Sequence, residues 1–160
     1  PLNVSRSYLQ SDSNVRKISN HIMKKVSDKL EEMFKNDRED FQKKWDDIKV
    51  FIEYGMLSED KFFDRAKKYT LLKNTDGEYY TLEEYKEKIQ GNQTDNEGNV
   101  IHLYATDQEN QYTYIQSAKD RGYDVLLLDG PIDSHFVNLL EQKLEKTSFK
   151  RIFRSSNIHA

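Results

Sequence analysis

Gly122-Tyr123-Asp124-Val125-Leu126-Leu127-Leu128 is the stretch on which the fold of this chain turns. Four successive apolar residues soon after a glycine have the continuous hydrophobicity of a strand covered on both faces, the habit of parallel sheets. Upstream, Gly122 punctuates the end of a helix that carries Tyr112, Ile115 and Ala118 at three-residue steps. Before that helix, Val100 to Tyr104 has the composition of a strand. Strand, helix and strand in this order predict a parallel crossover, right-handed by the chirality of twisted strands. Downstream, Phe136, Val137, Leu140 and Leu144 make another amphipathic helix, and Phe149 to Phe153 supplies a final strand. The second half is therefore expected to be a small α/β sandwich with a mainly parallel sheet.

The first half is helical. Val15, Ile18, Ile22, Val26, Leu30 and Met33 recur at three- and four-residue steps, which predicts one apolar, core-facing stripe on a long helix from about Ser13 to Asn36. Asp37 is a candidate cap for a second helix whose buried face is Phe41, Trp45, Ile48 and Ile52 and which Gly55 is expected to close. A third helix is expected from Ser58, with Phe62, Phe63, Ala66 and Tyr69 packed inward. After Thr70 the character changes. Leu71-Leu72 suits a short strand, Asn74-Thr75-Asp76-Gly77 is a turn signal, and Thr81 with Glu84 forms a capping box for a helix through Ile89. Gly91 to Asn99 is polar and glycine-bearing, the expected mobile connection. The fold class is α/β, or α+β overall, with a helical connector over residues 13–70 and a small α/β lobe over 71–160. There is no internal repeat.

Composition narrows the function. The 160 residues suffice for one ordinary domain, and 36% hydrophobic against 33% charged residues suits exposed amphipathic helices better than a deeply buried enzyme core. A net charge of −3, with basic pairs such as Lys24-Lys25, Lys43-Lys44 and Lys67-Lys68 interleaved with acids, argues against nucleic acid as a partner. Without cysteine there is no disulfide or thiol chemistry. No run approaches the roughly 20 apolar residues of a membrane span, so no membrane partner and a cytoplasmic location are expected. His21, His102, His135 and His159 lack metal-ligand spacing, and no metal site is expected. Asp95, Glu97 and Gly98 faintly resemble a calcium loop, but Tyr104 stands where the closing bidentate glutamate belongs, so a polar turn is expected. There is no P-loop and no dinucleotide glycine pattern. The acid pairs Asp46-Asp47 and Glu83-Glu84 lie on helices, where sequence neighbours diverge, which disfavours an acid–base pair.

The opening residues, Pro1-Leu2-Asn3-Val4-Ser5-Arg6-Ser7-Tyr8-Leu9-Gln10, start without an initiator Met, and a fragment of a longer protein is expected. They closely resemble the arginine loop in the middle domain of the HtpG chaperones, the bacterial branch of the ninety-kilodalton heat-shock protein family. The resemblance spans nearly the whole chain. It continues through Leu71-Leu72-Lys73-Asn74-Thr75, Leu82-Glu83-Glu84-Tyr85, and Gly122 to Leu128 leading to Pro131-Ile132-Asp133. It implies that residues 1–12 are a catalytic-arginine loop at the tail of a large α/β lobe, followed by the connector and the small lobe.

By that resemblance Arg6 is catalytic, reaching the terminal phosphate of ATP held by a separate N-terminal domain, and Gln10 supports the loop. A planar, permanently charged guanidinium suits the charge spread over a transferring phosphoryl group. From the residues alone, an arginine ahead of a helix is a solvated or carboxylate-paired side chain. Ser7 stands where the family usually has glutamate. The resemblance also implies ATP and magnesium in the full-length protein, a homodimer joined by a C-terminal dimerisation domain, and non-native client proteins as partners. Client contact falls on Ser134, His135 and Asn138, expected beside or opposite the Phe136-Val137-Leu140 stripe; a plain solvated face is the other reading. The isolated chain is not expected to hydrolyse ATP. The alternative function is a non-enzymatic scaffold or adaptor in which Arg6 is structural.

Overall fold

The computed structural model describes residues 2–153, with side chains from residue 13 onward. Three helices come first: α1 (Leu2–Asn36), α2 (Arg38–Ser58) and α3 (Asp60–Ala66). A hairpin of β1 (Leu71–Lys73) and β2 (Tyr79–Thr81) leads into α4 (Leu82–Ile89). The remainder alternates as β3 (Val100–Ala105), α5 (Tyr112–Asp120), β4 (Val125–Leu127), α6 (Asp133–Lys143) and β5 (Thr147–Arg151).

The parallel sheet is the one the sequence implies. Its order is β4-β3-β5 with both pairings parallel, Leu103 opposite Val125 and Val100 opposite Thr147. Alternation along the strands sends side chains to two cores. Ile101, Leu103, Ala105 and Val125 pack with Ile115 and Ala118 of α5, while Val100 and Leu126 join a larger core with α2, α4 and α6. Tyr112, expected inward on α5, is exposed. That larger core runs without a break from Phe41 and Trp45 of α2 through Tyr69, Leu71 and Tyr85 to Phe136 and Leu140 of α6. The connector and the α/β lobe thus share one apolar interior.

Four local expectations are corrected. The first helix begins at Leu2, not near Ser13, because residues 2–36 contain no glycine or proline to stop it. Its packed face agrees with the expected stripe at Leu30 and Met33 and departs from it elsewhere: Met23 and Phe34 also pack against the core and Ser27 is fully buried, its hydroxyl accepting from Tyr69 at 3.0 Å. Val15, Ile18, Ile22 and Val26 instead face outward, 56%, 60%, 54% and 47% exposed. Gly55 does not close α2, which continues to Ser58. The glycine is buried where the Phe62 ring crosses, and a Cβ there would lie 2.9 Å from Phe62 Cε2, so it serves close helix packing. The third helix starts at Asp60 and leaves Tyr69 beyond its end, though fully buried.

The fourth correction concerns Gly91 to Asn99, which is pinned rather than a loose connection. Gln93 is fully buried, donating to Ile101 O at 2.9 Å and accepting from Asp124 N at 2.7 Å. Asp95 Oδ1 accepts from Glu97 N and Asn99 N, both at 2.9 Å, closing the polar turn in which Gly98 takes φ +88°. The Asn74 turn is likewise built as the sequence implies. Asn74 Oδ1 accepts from Asp76 N and Glu78 N, while its Nδ2 donates to Asp124, tying the hairpin to the strand that follows.

Candidate functional site

Helix α2 is the element to which the rest of the molecule is fastened. Its apolar face, Phe41, Trp45, Ile52 and Met56, is buried in the shared core, and Asp37 caps its start by accepting from Asp40 N at 3.1 Å. Along the flank that meets the α/β lobe it carries three polar junctions, one for about every two turns.

At the first junction Arg38 forks onto Glu84, with Nη1 to Oε2 at 2.6 Å and Nη2 to Oε1 at 2.5 Å, and its guanidinium stacks over Phe34 at 5.4 Å. Glu84 also completes the capping box with Thr81, so one carboxylate fixes the start of α4 and ties it to α2. The hydrogen bonds from Arg38 hold the Glu84 carboxyl down at about 2, against a smaller opposing effect of burial. At the second junction Asp46 accepts from Lys73 Nζ and from the Tyr79 hydroxyl, both at 3.2 Å, linking α2 to both strands of the hairpin.

The third junction holds two buried acids. Glu53 is 4% exposed and Asp133, the first residue of α6, 3%. Asp133 Oδ2 accepts from Gly130 N at 2.7 Å, and a Cβ at Gly130 would sit 2.8 Å from that oxygen, so only glycine permits the approach. Lys49 Nζ lies 3.8 Å from Asp133 Oδ2 and 3.8 Å from Asp129 Oδ1. Among the described residues no donor reaches Glu53 Oε2 or Asp133 Oδ1. Burial, and then the charge and hydrogen bonding of Asp133, push the Glu53 carboxyl up to about 8, partly offset by Lys49. The sequence reading missed both acids, although Glu53 beside Ile52 and one turn before Met56 is an acid on the edge of an apolar face.

Of the residues picked from sequence, Arg6 and Gln10 fall within the α1 backbone, and their side chains lie outside the described residues. They are carried on the same continuous helix whose next turns bear the bare Val15 to Val26 row. Ser134, His135 and Asn138 are all exposed on α6, with Phe136, Val137 and Leu140 buried behind them. The structure does not bring this trio to the α1 segment, since α6 packs on α2 and β5. His102 is a core residue: it stacks on Phe149 at 4.7 Å, and burial lowers its pKa to about 4. Among the described residues no cluster of three His, Asp or Glu could hold a metal, and no helix is long and apolar enough to cross a membrane.

Helical connector, parallel lobe and shared core define a class, and comparison with known proteins gives it a family. The profile described as Hsp90 protein matches residues 1–157. The chain belongs to the Hsp90 protein family. It is 59% identical over 152 residues to the chaperone protein HtpG of Porphyromonas gingivalis, a match covering 95% of this chain and 22% of that protein. The HtpG proteins of Bacteroides fragilis and Bacteroides thetaiotaomicron are 58% and 55% identical over the same shares. The chain thus spans about a fifth of the length of these relatives (22%). The resemblance read from the opening motif and the Gly122–Asp133 stretch is borne out, as is the α/β fold.

Proposed function

We propose that this chain is a middle-domain segment of an HtpG-type, ATP-dependent chaperone that supplies Arg6 to ATP bound on a separate N-terminal domain. The observation that carries the reading is the bare face of α1. A helix that displays Val15, Ile18, Ile22 and Val26 in a row to water is shaped to lie against more protein, and Arg6 and Gln10 are on its first turns. A long helix seated between such a neighbour and the connector core is a rigid carrier for an arginine that must arrive at a phosphate in a fixed geometry. Gln10, one turn on from Arg6, supports that arginine in this reading.

In this reading ATP and magnesium are held by the separate N-terminal domain, and turnover follows closure of that domain onto Arg6 rather than chemistry local to this chain. In the full-length homodimer, joined through its C-terminal domain and acting in the cytoplasm, the exposed Ser134, His135 and Asn138 face on α6 contacts non-native client proteins. These residues stand out from a buried apolar row, which gives them a fixed presentation.

The test is ATP turnover by the full-length parent carrying Arg6→Ala, with nucleotide affinity and thermal stability measured alongside. A fall of tenfold or more, about 1.4 kcal/mol of transition-state stabilisation, with affinity and stability unchanged is the expected result. Unchanged turnover would remove Arg6 from the chemistry and favour a non-enzymatic scaffold.

A further inference from the structure

We propose that Glu53 and Asp133 share one bound proton and form a proton-operated latch between helix α2 and the α/β lobe, closed while the proton is held and weakened when it leaves. The two buried acids lie where α2 meets α6, and the charge and hydrogen bonding of Asp133 act on Glu53. Each presents one oxygen that no donor among the described residues reaches, Oε2 of Glu53 and Oδ1 of Asp133, and both side chains are almost wholly out of water. Two ionised carboxylates so placed repel each other and each leaves a desolvated oxygen unpaired. One proton between them removes a charge and satisfies both oxygens, as a carboxyl donor on one side and a carboxylate acceptor on the other.

The surrounding groups decide which acid carries the proton. Lys49, one turn earlier on α2, stands 3.8 Å from Asp133 Oδ2 and 3.8 Å from Asp129 Oδ1 in the loop before α6, and Gly130 N donates to Asp133 Oδ2. Both set a positive charge or an N–H donor against Asp133, and neither donates to Glu53 Oε2. Farther along α2, Asp46 is occupied with Lys73 of β1 and with Tyr79 of β2. On the other side, Asp133 borders a cavity of about 210 Å³ shared with Tyr104 of β3, Ser134 of α6 and Arg151 of β5. Glu53 therefore holds the proton and donates toward Asp133. The upward push on its carboxyl, to about 8, agrees with that assignment.

The sign of the pH effect follows. The folded chain binds this proton more tightly than the unfolded chain, where Glu53 returns to its ordinary value of 4.5. The contribution of the latch is complete below that value and declines as pH rises toward about 8. Asp133 opens α6, so loss of the proton loosens the seat of that helix on α2 and with it the face carrying Ser134, His135 and Asn138.

Two measurements on the 160-residue chain decide the matter. The first follows the Glu53 side-chain carboxyl carbon by NMR from about pH 4 to about pH 10. A midpoint near 8 is expected, falling by about one unit or more in Asp133→Asn, whose amide donates to the ionised Glu53. A midpoint near 4.5 in the unaltered chain would overturn the latch. The second compares urea midpoints at about pH 6 and about pH 9. The unaltered chain is expected to weaken at the higher pH while Glu53→Gln, which keeps a donor toward Asp133 and cannot ionise, holds level. An equal fall in both chains would place the pH dependence elsewhere and reject the proposal. If Glu53→Gln fails to fold, the carbon titration of the unaltered chain still decides.

Discussion

Helices α1 and α2 carry apolar rows of the same period and opposite fates. On α2, Phe41, Trp45, Ile52 and Met56 are 0%, 2%, 3% and 1% exposed; along the middle of α1, Val15, Ile18, Ile22 and Val26 remain about half in water. Periodicity tells that a face is apolar and says nothing about what covers it. The two rows differ in the company the chain supplies. α2 is met by α3, by the hairpin and by α6, whereas the described side chains of α1 pack on the core through Met23, Ser27, Leu30, Met33 and Phe34. A helix with apolar residues on two adjoining strips is built to be covered from two sides, and this chain covers one.

The sharpest way to break that comparison is at Trp45. Trp45→Ala removes the largest fully buried side chain, next to Phe41 at a ring separation of 5.9 Å, and should cost about 3–5 kcal/mol in urea denaturation of the chain. A loss below 1 kcal/mol would mean that α2 is held chiefly by its polar junctions and that the contrast with α1 has been drawn on the wrong ground.

Much of this contrast was legible in the sequence, and the part that was not has physical reasons. The α2 stripe, the β3-α5-β4 crossover and the Thr81–Glu84 capping box each rest on local periodicity or on a short motif, and each is present. On α1, Leu30 and Met33 pack as expected, and the turns before them escaped because the buried position there is Ser27, whose burial depends on the Tyr69 hydroxyl supplied from beyond α3. The strand Tyr79–Thr81 escaped because three residues carry too little alternation, and pairing with Leu71–Lys73 supplies the rest. Polar composition hid the order of Gly91 to Asn99, since Gln93 is buried by two backbone partners and not by apolar contact. The Glu53–Asp133 pair is non-local, and no spacing rule joins an acid on α2 to one at the start of α6. Arg6 and Gln10 were picked through resemblance alone, since nothing in their local sequence distinguishes an arginine aimed at a phosphate from one facing water.

A smaller effect separates the two kinds of fastening on α2 itself. Glu84 lies well below the ordinary carboxylate range because Arg38 and the Thr81 backbone prefer it ionised. Its contribution is therefore present at neutral pH and lost as pH falls from 4.5 through about 2. Glu84→Gln retains the capping geometry and loses the ion pair. It should cost about 1 kcal/mol at neutral pH, the upper range for a pair this exposed to solvent, and should abolish the acid dependence over that window. The Glu53–Asp133 junction titrates in the opposite sense, weakening as pH rises. A stability profile that falls at both ends for the unaltered chain, flattens on the acid side in Glu84→Gln and on the basic side in Glu53→Gln would resolve the two junctions of one helix by pH alone.

The least perturbing substitution carries the most information about α1. Ile22 is 54% exposed, and serine and isoleucine differ little in helix propensity, so Ile22→Ser should alter the stability of this chain by no more than about 0.5 kcal/mol. If the stripe lies against protein in the full-length parent, as proposed, the same change should cost about 2 kcal/mol or more there, because it buries a hydroxyl where a branched hydrocarbon packed. Denaturation of both proteins, with and without the substitution and at two concentrations, reads the difference. If the short chain alone loses as much as the parent, and loses more at high concentration, a second copy covers the stripe and the row records self-association. If neither protein responds, the apolar period on α1 is a solvated accident, and the argument that a neighbour steadies the helix bearing Arg6 loses its support. A loss confined to the parent places the covering surface in the rest of the protein, on the side of α1 away from the connector.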